Sequence, residues 1–524
     1  MSRRTDEIGA GLDPVRAAIP LRPGERIHVV GAGGAAAAAA ALHALRAGAT
    51  VSGCDSGGPS PYTQPLERAG INLAWEHAPS HVAAGEVVLA DRLAVTKALT
   101  AVDPDNPELA AARRLGVPAT SVQQLIADAA ATRGQDLIGL AGTHGKSTTT
   151  GWVVQMLVEG GLDPSAFVGA LLPAALVAGD EPSTVRVGQG ASFVVEADEY
   201  AGNFDAYRPA IGGLTNADWD HPDVFSDRAA VVATFAVWIR GFDGGGEPPV
   251  LVANVGDAGV REVLAELRDW PGRVLVALLA EGEADLDALR ATLEREHATA
   301  AGTARAIVAR RRQEAGEGSL EIHGLEPGVT VTARLALPGR HNAENGLVAA
   351  GVASAAGAAP SAIVTGLASY AGVGRRLEVK GDVGGIVVLD DYGHHPTAMA
   401  ASFTTVRELY PGRRLWAVYE PLTYHRTAAM LGEFAAILAT ADMAVIAEIH
   451  AGRDPDTTIA SAGGLAGAVA ARGTPAWAPG TVEETSDWLE RRVAPGDVIL
   501  VMGGGRSYVI ADRLAAFLVA RAKG

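Results

Sequence analysis

The run Gly142-Thr143-His144-Gly145-Lys146-Ser147 carries the residue types from which a phosphate grip is made. It lies between an apolar strand predicted over Leu137–Leu140 and a helix predicted from Ser147 to about Glu159. Glycine backbone N–H groups and the positive end of the helix can there surround a phosphate chain. In that setting the Lys146 ammonium reaches the β- and γ-phosphates, and the Ser147 hydroxyl, beside Thr148, ligates Mg²⁺. The spacing departs from the general G-x-x-x-x-G-K-[ST] pattern, because position 140 is leucine. Two later strands end in groups that suit a cation. Phe193-Val194-Val195 runs into Glu196, Asp198 and Glu199, and Leu214-Thr215-Asn216 leads to Asp218, Asp220 and His221. At the carboxyl edge of a parallel sheet such groups can hold a metal or orient water, and each alone can equally be a loop hydrogen-bonding group.

Three further constellations stand apart from the phosphate loop. His341-Asn342 and Asn345 open an alanine-rich helix; the two amides share one face and can read an adenine edge, or Asn342 can cap the helix. Arg375-Arg376, after Gly372-Val373-Gly374, is either a surface pair or a clamp on developing phosphoryl charge. Gly31-Ala32-Gly33-Gly34 follows the strand Arg26–Val30 and resembles a dinucleotide fingerprint, with Ala36 where its last glycine belongs.

The elements that position these residues read as α/β. Strands are predicted at Arg26–Val30, Thr50–Ser52 (closed by Asp55) and Val87–Ala90, with helices at Asn106–Leu115 and Val122–Ala131 and a linker at Arg133-Gly134-Gln135. A second series follows with strands at Leu137–Leu140, Phe193–Val195 and Ala210–Thr215. A third begins near Glu378, with strands at Ile386–Leu389, Leu415–Tyr419, Met443–Ala447 and Val498–Met502. Strands alternating with helices predict mostly parallel sheets. The charged stretch Glu281–Gly318, with Arg310-Arg311-Arg312, reads as an exposed helix and loop at the periphery.

Composition bounds the function. At roughly 100 to 200 residues per domain, 524 residues predict about three domains. A hydrophobic share of 48% with 20% charged residues excludes wholesale disorder. The balance of 43 Lys+Arg against 60 Asp+Glu, a net −17, argues against non-specific nucleic-acid binding. A single cysteine, Cys54, cannot form an internal disulfide and fits a reducing cytoplasm. The alanine tract Ala35–Leu42 is too short to span a bilayer, and the N-terminus around Arg3 and Arg4 reads as a frayed tail with no apolar signal core.

Taken together, the order of the phosphate loop, Glu196-Ala197-Asp198-Glu199-Tyr200, Thr215-Asn216 through Asp220-His221, His341-Asn342 with Asn345, Arg375-Arg376 and Asp390-Asp391-Tyr392-Gly393-His394-His395-Pro396 resembles the Mur ligase family, and most its alanine-adding branch. The resemblance runs from about Ile27 to about Ala511. It implies a UDP-sugar-binding Rossmann-like domain over 1–133, a central P-loop ATPase domain over 134–377, and a C-terminal Rossmann-like domain over 378–524 that closes on ATP and the amino acid. The implied activity joins L-alanine to the lactyl carboxylate of UDP-N-acetylmuramate through an acyl phosphate, with ATP and Mg²⁺, in a cytoplasmic monomer or homodimer that is not inserted in a membrane.

Carried over by motif, Lys146, His221, His394 and Arg376 are catalytic. ATP falls to Gly142, Thr143, His144, Gly145, Lys146, Ser147, Thr148, His341, Asn342, Asn345, Arg376 and Asp391. Gly31, Gly33, Gly34 and Asp55 meet the UDP-sugar, Tyr392, His394 and Arg426 the amino-acid side, and Ser147, Glu196 and His221 the metal. Leu422 stands where the family usually has a histidine of the amino-acid pocket, and Gly503-Gly504-Gly505-Arg506 where Gly-Ala-Gly-Asp is usual. The murein-peptide ligase branch, which adds a recycled tripeptide to the same UDP-sugar, is the alternative. It also has Glu-Ala-Asp-Glu-Tyr and often Phe-Glu-Pro where this chain has Tyr419-Glu420-Pro421. Outside the family, a nicotinamide-dependent oxidoreductase on the first glycine loop leaves Lys146, Glu196 and His221 without a role, and a silent UDP-sugar binder makes little use of them.

Overall fold

The computed structural model describes residues 8–177, 181–302, 304–314, 317–452, 454 and 456–523; Arg3 and Arg4, and residues 303, 315 and 316 of the charged stretch, lie outside them. The chain divides into two compact units. The first runs to Trp219 and takes up Val224–Leu337 and Asn342–Val373; the second comprises Asp220–Asp223, Pro338–His341 and the chain from Gly374 onward.

The first unit holds two large sheets and a two-stranded hairpin. A five-stranded parallel sheet has Arg26–Val30 at its centre, between Thr50–Cys54 and Arg92–Val95, with Asn72–Ala74 and Ala119–Ser121 at the edges. Helix Ala35–Arg46 follows the first strand, and the small side chains of Ala37 to Ala41 and Ala44 are buried. They let its backbone pack closely on helix Val122–Thr132 and on strands Ser165–Leu172 and Ser183–Arg186 of the second sheet. From the same helix His43 Nε2 donates to the Ala166 carbonyl at 3.0 Å.

The second sheet has ten strands, with Asp136–Ala141 parallel to and between Ser192–Glu196 and Ile211–Leu214. Helix Lys146–Glu159 rises from the carboxyl end of that strand. The second unit contains a six-stranded sheet in which Ile386–Asp391, Asp497–Met502 and Arg414–Tyr419 are adjacent and parallel, closed by the antiparallel edge strand Glu378–Val383. Val387, Leu389, Val498 and Leu500 are fully buried there. Apart from Val87–Ala90, the runs read as strands are strands, and the parallel sheets they form are covered by helices.

Two expectations are corrected. Of the strand predicted at Val87–Ala90, only Val87–Val88 is extended, and it pairs with Ala83–Ala84 in a separate hairpin; the sheet strand is Arg92–Val95. Hydropathy misplaces it because the strand opens on an arginine. Arg92 is buried by ion pairs with Glu25 at 2.8 Å and Asp128 at 2.6 Å. The charged stretch is not a peripheral helix and loop throughout. Helix Leu286–Glu296 is present, but Arg305–Glu314 is a strand that pairs with Arg273–Ala280 and Glu317–His323. Ile307, Val308 and Ala309 are buried, and after them Arg310 pairs with Glu283 and Arg312 with Glu321 of the neighbouring strand. Among the described residues no helix is long and apolar enough to cross a membrane.

Candidate active site

The phosphate loop leaves strand Asp136–Ala141 and enters helix Lys146–Glu159 through two glycines that cannot be replaced without strain. Gly142 has φ +139°, and a Cβ there would lie 2.1 Å from Thr215 Oγ1; Gly145 has φ +78°, and its Cβ would lie 2.5 Å from Asn345 Oδ1. Asn345 thus sits against the loop, in the same unit as Asn342. Both amides are nearly buried, while His341 belongs to the second unit. The neighbouring strand end braces the loop. His144 N–H donates to Asn216 Oδ1 at 2.8 Å, Thr215 Oγ1 donates to the His144 carbonyl at 2.7 Å, and Asp218 N–H donates to Thr143 Oγ1 at 2.9 Å.

Lys146 Nζ donates to the Gly142 carbonyl at 2.8 Å and to Glu199 Oε2 at 2.9 Å, with Asp198 at 3.8 Å. Burial alone would lower the Lys146 ammonium, but Glu199 and Asp198 outweigh it and hold the group above its ordinary range. Burial likewise lifts the Glu199 carboxyl to about 7, helped by Asp198 and opposed by Lys146. Ser147 Oγ donates to Glu196 Oε1 at 3.2 Å, and Gly169 N–H donates to Glu196 Oε2 at 2.7 Å. A hydroxyl and a carboxylate side by side at a helix N-terminus offer hard oxygen donors of the kind Mg²⁺ takes. Of the expected metal set, Ser147 and Glu196 meet in the first unit, whereas His221 falls in the second.

The first glycine loop is held by Asp55. Gly33 N–H donates to Asp55 Oδ2 and Gly57 N–H to Asp55 Oδ1, both at 2.8 Å. Gly31 has φ +83°, and a Cβ on Gly33 would lie 2.7 Å from the Asp55 carboxylate. Gly34 forms the N-terminal boundary of helix Ala35–Arg46 with no side chain capping it, leaving the first-turn N–H groups for a ligand or water. Asp55 therefore shapes the loop with both oxygens, a role that spacing did not reveal.

In the second unit Arg426 Nε donates to Asp220 Oδ1 at 2.9 Å, and a terminal nitrogen of the same guanidinium lies 2.8 Å from that oxygen in an ion pair. Burial would raise the Asp220 carboxyl, but Arg426 and nearby histidines hold it well below the carboxylate range. Arg426 also donates to His221 Nδ1 at 3.3 Å. Guanidinium has only donors, so the ring's lone pair in this arrangement is on Nδ1 and its proton on Nε2. His221 itself has φ +54°, a left-handed conformation, and its N–H donates to Asp220 Oδ1 at 2.6 Å. His394 has the opposite tautomer: Nδ1–H donates to the Tyr392 carbonyl at 2.9 Å, which leaves the lone pair on Nε2. Burial, with Arg426 nearby, holds that ring neutral.

The paired arginines differ. Arg375 is a tie within the second unit, bonded to Asp390 at 3.2 Å, the Gly503 carbonyl at 2.7 Å and Ser507 at 2.8 Å. Arg376 stacks its guanidinium 5.1 Å from the Tyr392 ring centre, and its Nε is buried without a hydrogen-bond partner. Asp391 accepts from Leu377 N–H at 2.9 Å and Gly393 N–H at 2.7 Å, so its carboxylate also fixes the turn before His394. A Cβ on Gly504 would lie 2.7 Å from Leu422 Cδ2, so the two departures noted in the sequence pack against each other. Beside them Glu420 is buried, and burial lifts its carboxyl to about 7. Sequence reasoning assigned no role to Thr215, Asn216 or Gly169. The Thr-Asn pair at a strand end was the available signal for the first two, and Gly169 had none.

A strand, phosphate loop and helix at the carboxyl edge of a central sheet, in a chain that also has two further parallel-stranded sheets, define a phosphate-loop nucleotide-binding protein of the α/β class. Three family models match in order: "Mur ligase family, catalytic domain" over 26–133, "Mur ligase middle domain" over 140–353, and "Mur ligase, glutamate ligase domain" over 375–505. The chain belongs to the Mur ligase family. A UDP-N-acetylmuramate--L-alanine ligase of Oleidesulfovibrio alaskensis is 32% identical over 494 residues, covering 93% of this chain and 97% of its own. One of Mycolicibacterium vanbaalenii is 34% identical over 502 residues, covering 95% and 97%. Among solved structures, the UDP-N-acetylmuramate-alanine ligase of Thermotoga maritima superposes with a TM-score of 0.72 at 21% identity over 95% of this chain and 99% of its own. A murein peptide ligase of Psychrobacter arcticus gives 0.65 at 22% over 94% and 99%. At these identities the two structures speak to the fold.

Proposed function

We propose that this protein ligates L-alanine to the lactyl carboxylate of UDP-N-acetylmuramate, converting ATP to ADP and phosphate, in the supply of peptidoglycan precursors. The observation that carries the reading is the braced loop with Lys146 and the Ser147–Glu196 pair, in a chain whose relatives along nearly their whole length have that activity in their names. A carboxylate is a poor acyl donor because oxide is a poor leaving group, so phosphorylation to an acyl phosphate precedes attack by the amine.

Lys146 meets the charge of the transferring phosphoryl group; Gly142, Thr143 and His144 shape the loop, and the N–H groups from Gly145 to Thr148 at the helix N-terminus hold the phosphate chain. Ser147 and Glu196 would hold Mg²⁺, which supplies charge neutralisation there when bound. Asn345, with Asn342 and His341, receives the adenine, and the loop Gly31–Gly34 shaped by Asp55 receives the UDP pyrophosphate. His394, neutral with its lone pair on Nε2, accepts a hydrogen bond from the incoming amine, while Tyr392, Arg376 and Arg426 line the amino-acid and acyl-phosphate side and Asp391 the ribose. His221 serves the metal only if its proton moves from Nε2 or Arg426 withdraws from Nδ1. The reading divides the chain at 133/134 and 377/378 and places it in the cytoplasm as a monomer or homodimer.

Phosphate release from ATP, measured with Mg²⁺ and UDP-N-acetylmuramate and each of L-alanine, glycine, L-serine or the murein tripeptide, tests it. Release that requires both the UDP-sugar and L-alanine, with the alanyl product seen by mass, is expected. Release with tripeptide alone would move the chain to the recycling branch.

A further inference from the structure

Away from the phosphate loop, the five-stranded sheet buries a set of side chains that the proposed reaction does not use. His28 lies on the central strand, Cys54 ends the neighbouring strand, His77 and His81 follow the edge strand Asn72–Ala74, and Glu108 sits in the first turn of helix Pro107–Leu115. His28 is 2% exposed and Cys54 and Glu108 are 0%. Cys54 Sγ lies 3.3 Å from His28 Nε2, 3.3 Å from His77 Nδ1 and 3.2 Å from Glu108 Oε1. His81 Nδ1 is 2.9 Å from the same Glu108 oxygen. One ligand atom from each of His28, Cys54, His81 and Glu108 lies within 4.8 Å of the others.

These are borderline and soft donors, two imidazoles and a thiol with one carboxylate, unlike the all-oxygen pair at Ser147 and Glu196. Bond lengths of about 2.0 to 2.3 Å at tetrahedral angles put neighbouring ligand atoms roughly 3.3 to 3.7 Å apart, near the spacings found. Two observations beyond proximity point to a ligand. Glu108 Oε2 is fully buried and has no hydrogen-bond partner among the described residues, with His77 Nδ1 3.4 Å away. His28 Nδ1 is 2.8 Å from Ser52 Oγ, the outer contact that fixes a metal-binding imidazole with its other nitrogen turned inward. We propose that His28, Cys54, His81 and Glu108 form a binding site for a Zn²⁺-class divalent ion, with His77 at its margin. Binding releases the thiol proton to solvent as the sulfur–metal bond forms. The Cys54 carbonyl accepts the Gly31 and Ala32 N–H groups at 2.9 and 3.0 Å, so an ion here would fasten the strand end from which the first glycine loop hangs.

Cobalt titration of the metal-stripped full chain tests the site. Cys54 is the only cysteine in the sequence, so a thiolate-to-cobalt charge-transfer band can arise at no other place in the protein. The expected result is that band saturating at about one equivalent, bleached by Zn²⁺, lost in Cys54→Ser, and requiring at least about tenfold more cobalt in His81→Gln. A wild-type protein that stays folded by circular dichroism yet shows no band, or a His81→Gln variant that binds as tightly as wild type, would overturn it. Ligase activity does not enter the readout, so the proposed reaction and this site can fail independently.

Discussion

Lys146 is held by the Glu199 and Asp198 carboxylates, and the same charge is what a transferring phosphoryl group needs. Lys146→Ala is expected to lower ATP-dependent ligation by at least about a hundredfold while UDP-sugar binding, measured by calorimetry, stays within about twofold of wild type. Wild-type turnover in the variant would remove the loop from the mechanism. The second residue to probe is Leu422, whose apolar side chain packs on the Gly504 backbone. Leu422→His is expected to sharpen discrimination among L-alanine, glycine and L-serine in kcat/KM; unchanged ratios would take this position out of the amino-acid pocket. Residue types at a catalytic loop are legible in a sequence because phosphate chemistry tolerates few substitutes. The tautomers of His221 and His394 are not, since each is set by a partner distant in sequence or by the ring's own local turn.

At the level of elements, the strand end Thr215-Asn216 and the Asp55 carboxylate do similar work for the two glycine-rich loops. Thr215→Val keeps the shape and removes the hydroxyl that holds the His144 carbonyl. A cost of about 1 kcal/mol is expected to appear as a roughly fivefold rise in the KM for ATP with UDP-sugar affinity unchanged. Asp55→Asn leaves one oxygen for two N–H donors, and a fall of about tenfold in UDP-sugar affinity with the KM for ATP unchanged is the expected outcome. Parallel strands were easy to place wherever apolar residues run together, as at Val498–Met502. They were missed where a strand opens on a buried ion pair, as at Arg92, or continues through arginines matched by glutamates across a hairpin, as at Arg310. Hydropathy carries no record of such cross-strand pairing.

For the molecule as a whole, stability should depend on pH through two buried carboxyls of the second unit. Burial lifts Asp390 to about 6, against the pull of Arg375, and Glu420 to about 7. Both are raised above their unfolded values, so the folded form retains protons that the unfolded form gives up. Their contribution is complete below the ordinary carboxyl range and is lost as pH rises through about 4 to 7. Urea midpoints for this unit are expected to be higher at about pH 5 than at about pH 8, and Asp390→Asn should flatten the difference. A midpoint independent of pH would contradict the assignment. The packing of Leu422 against Gly504 also bears on how far the pocket can be re-engineered. A methyl at 504 would meet Leu422 Cδ2, the free end of a side chain that can turn away, and no backbone atom stands within the same distance. Position 504 can therefore be enlarged by rotating one leucine, so the two positions can be varied in either order.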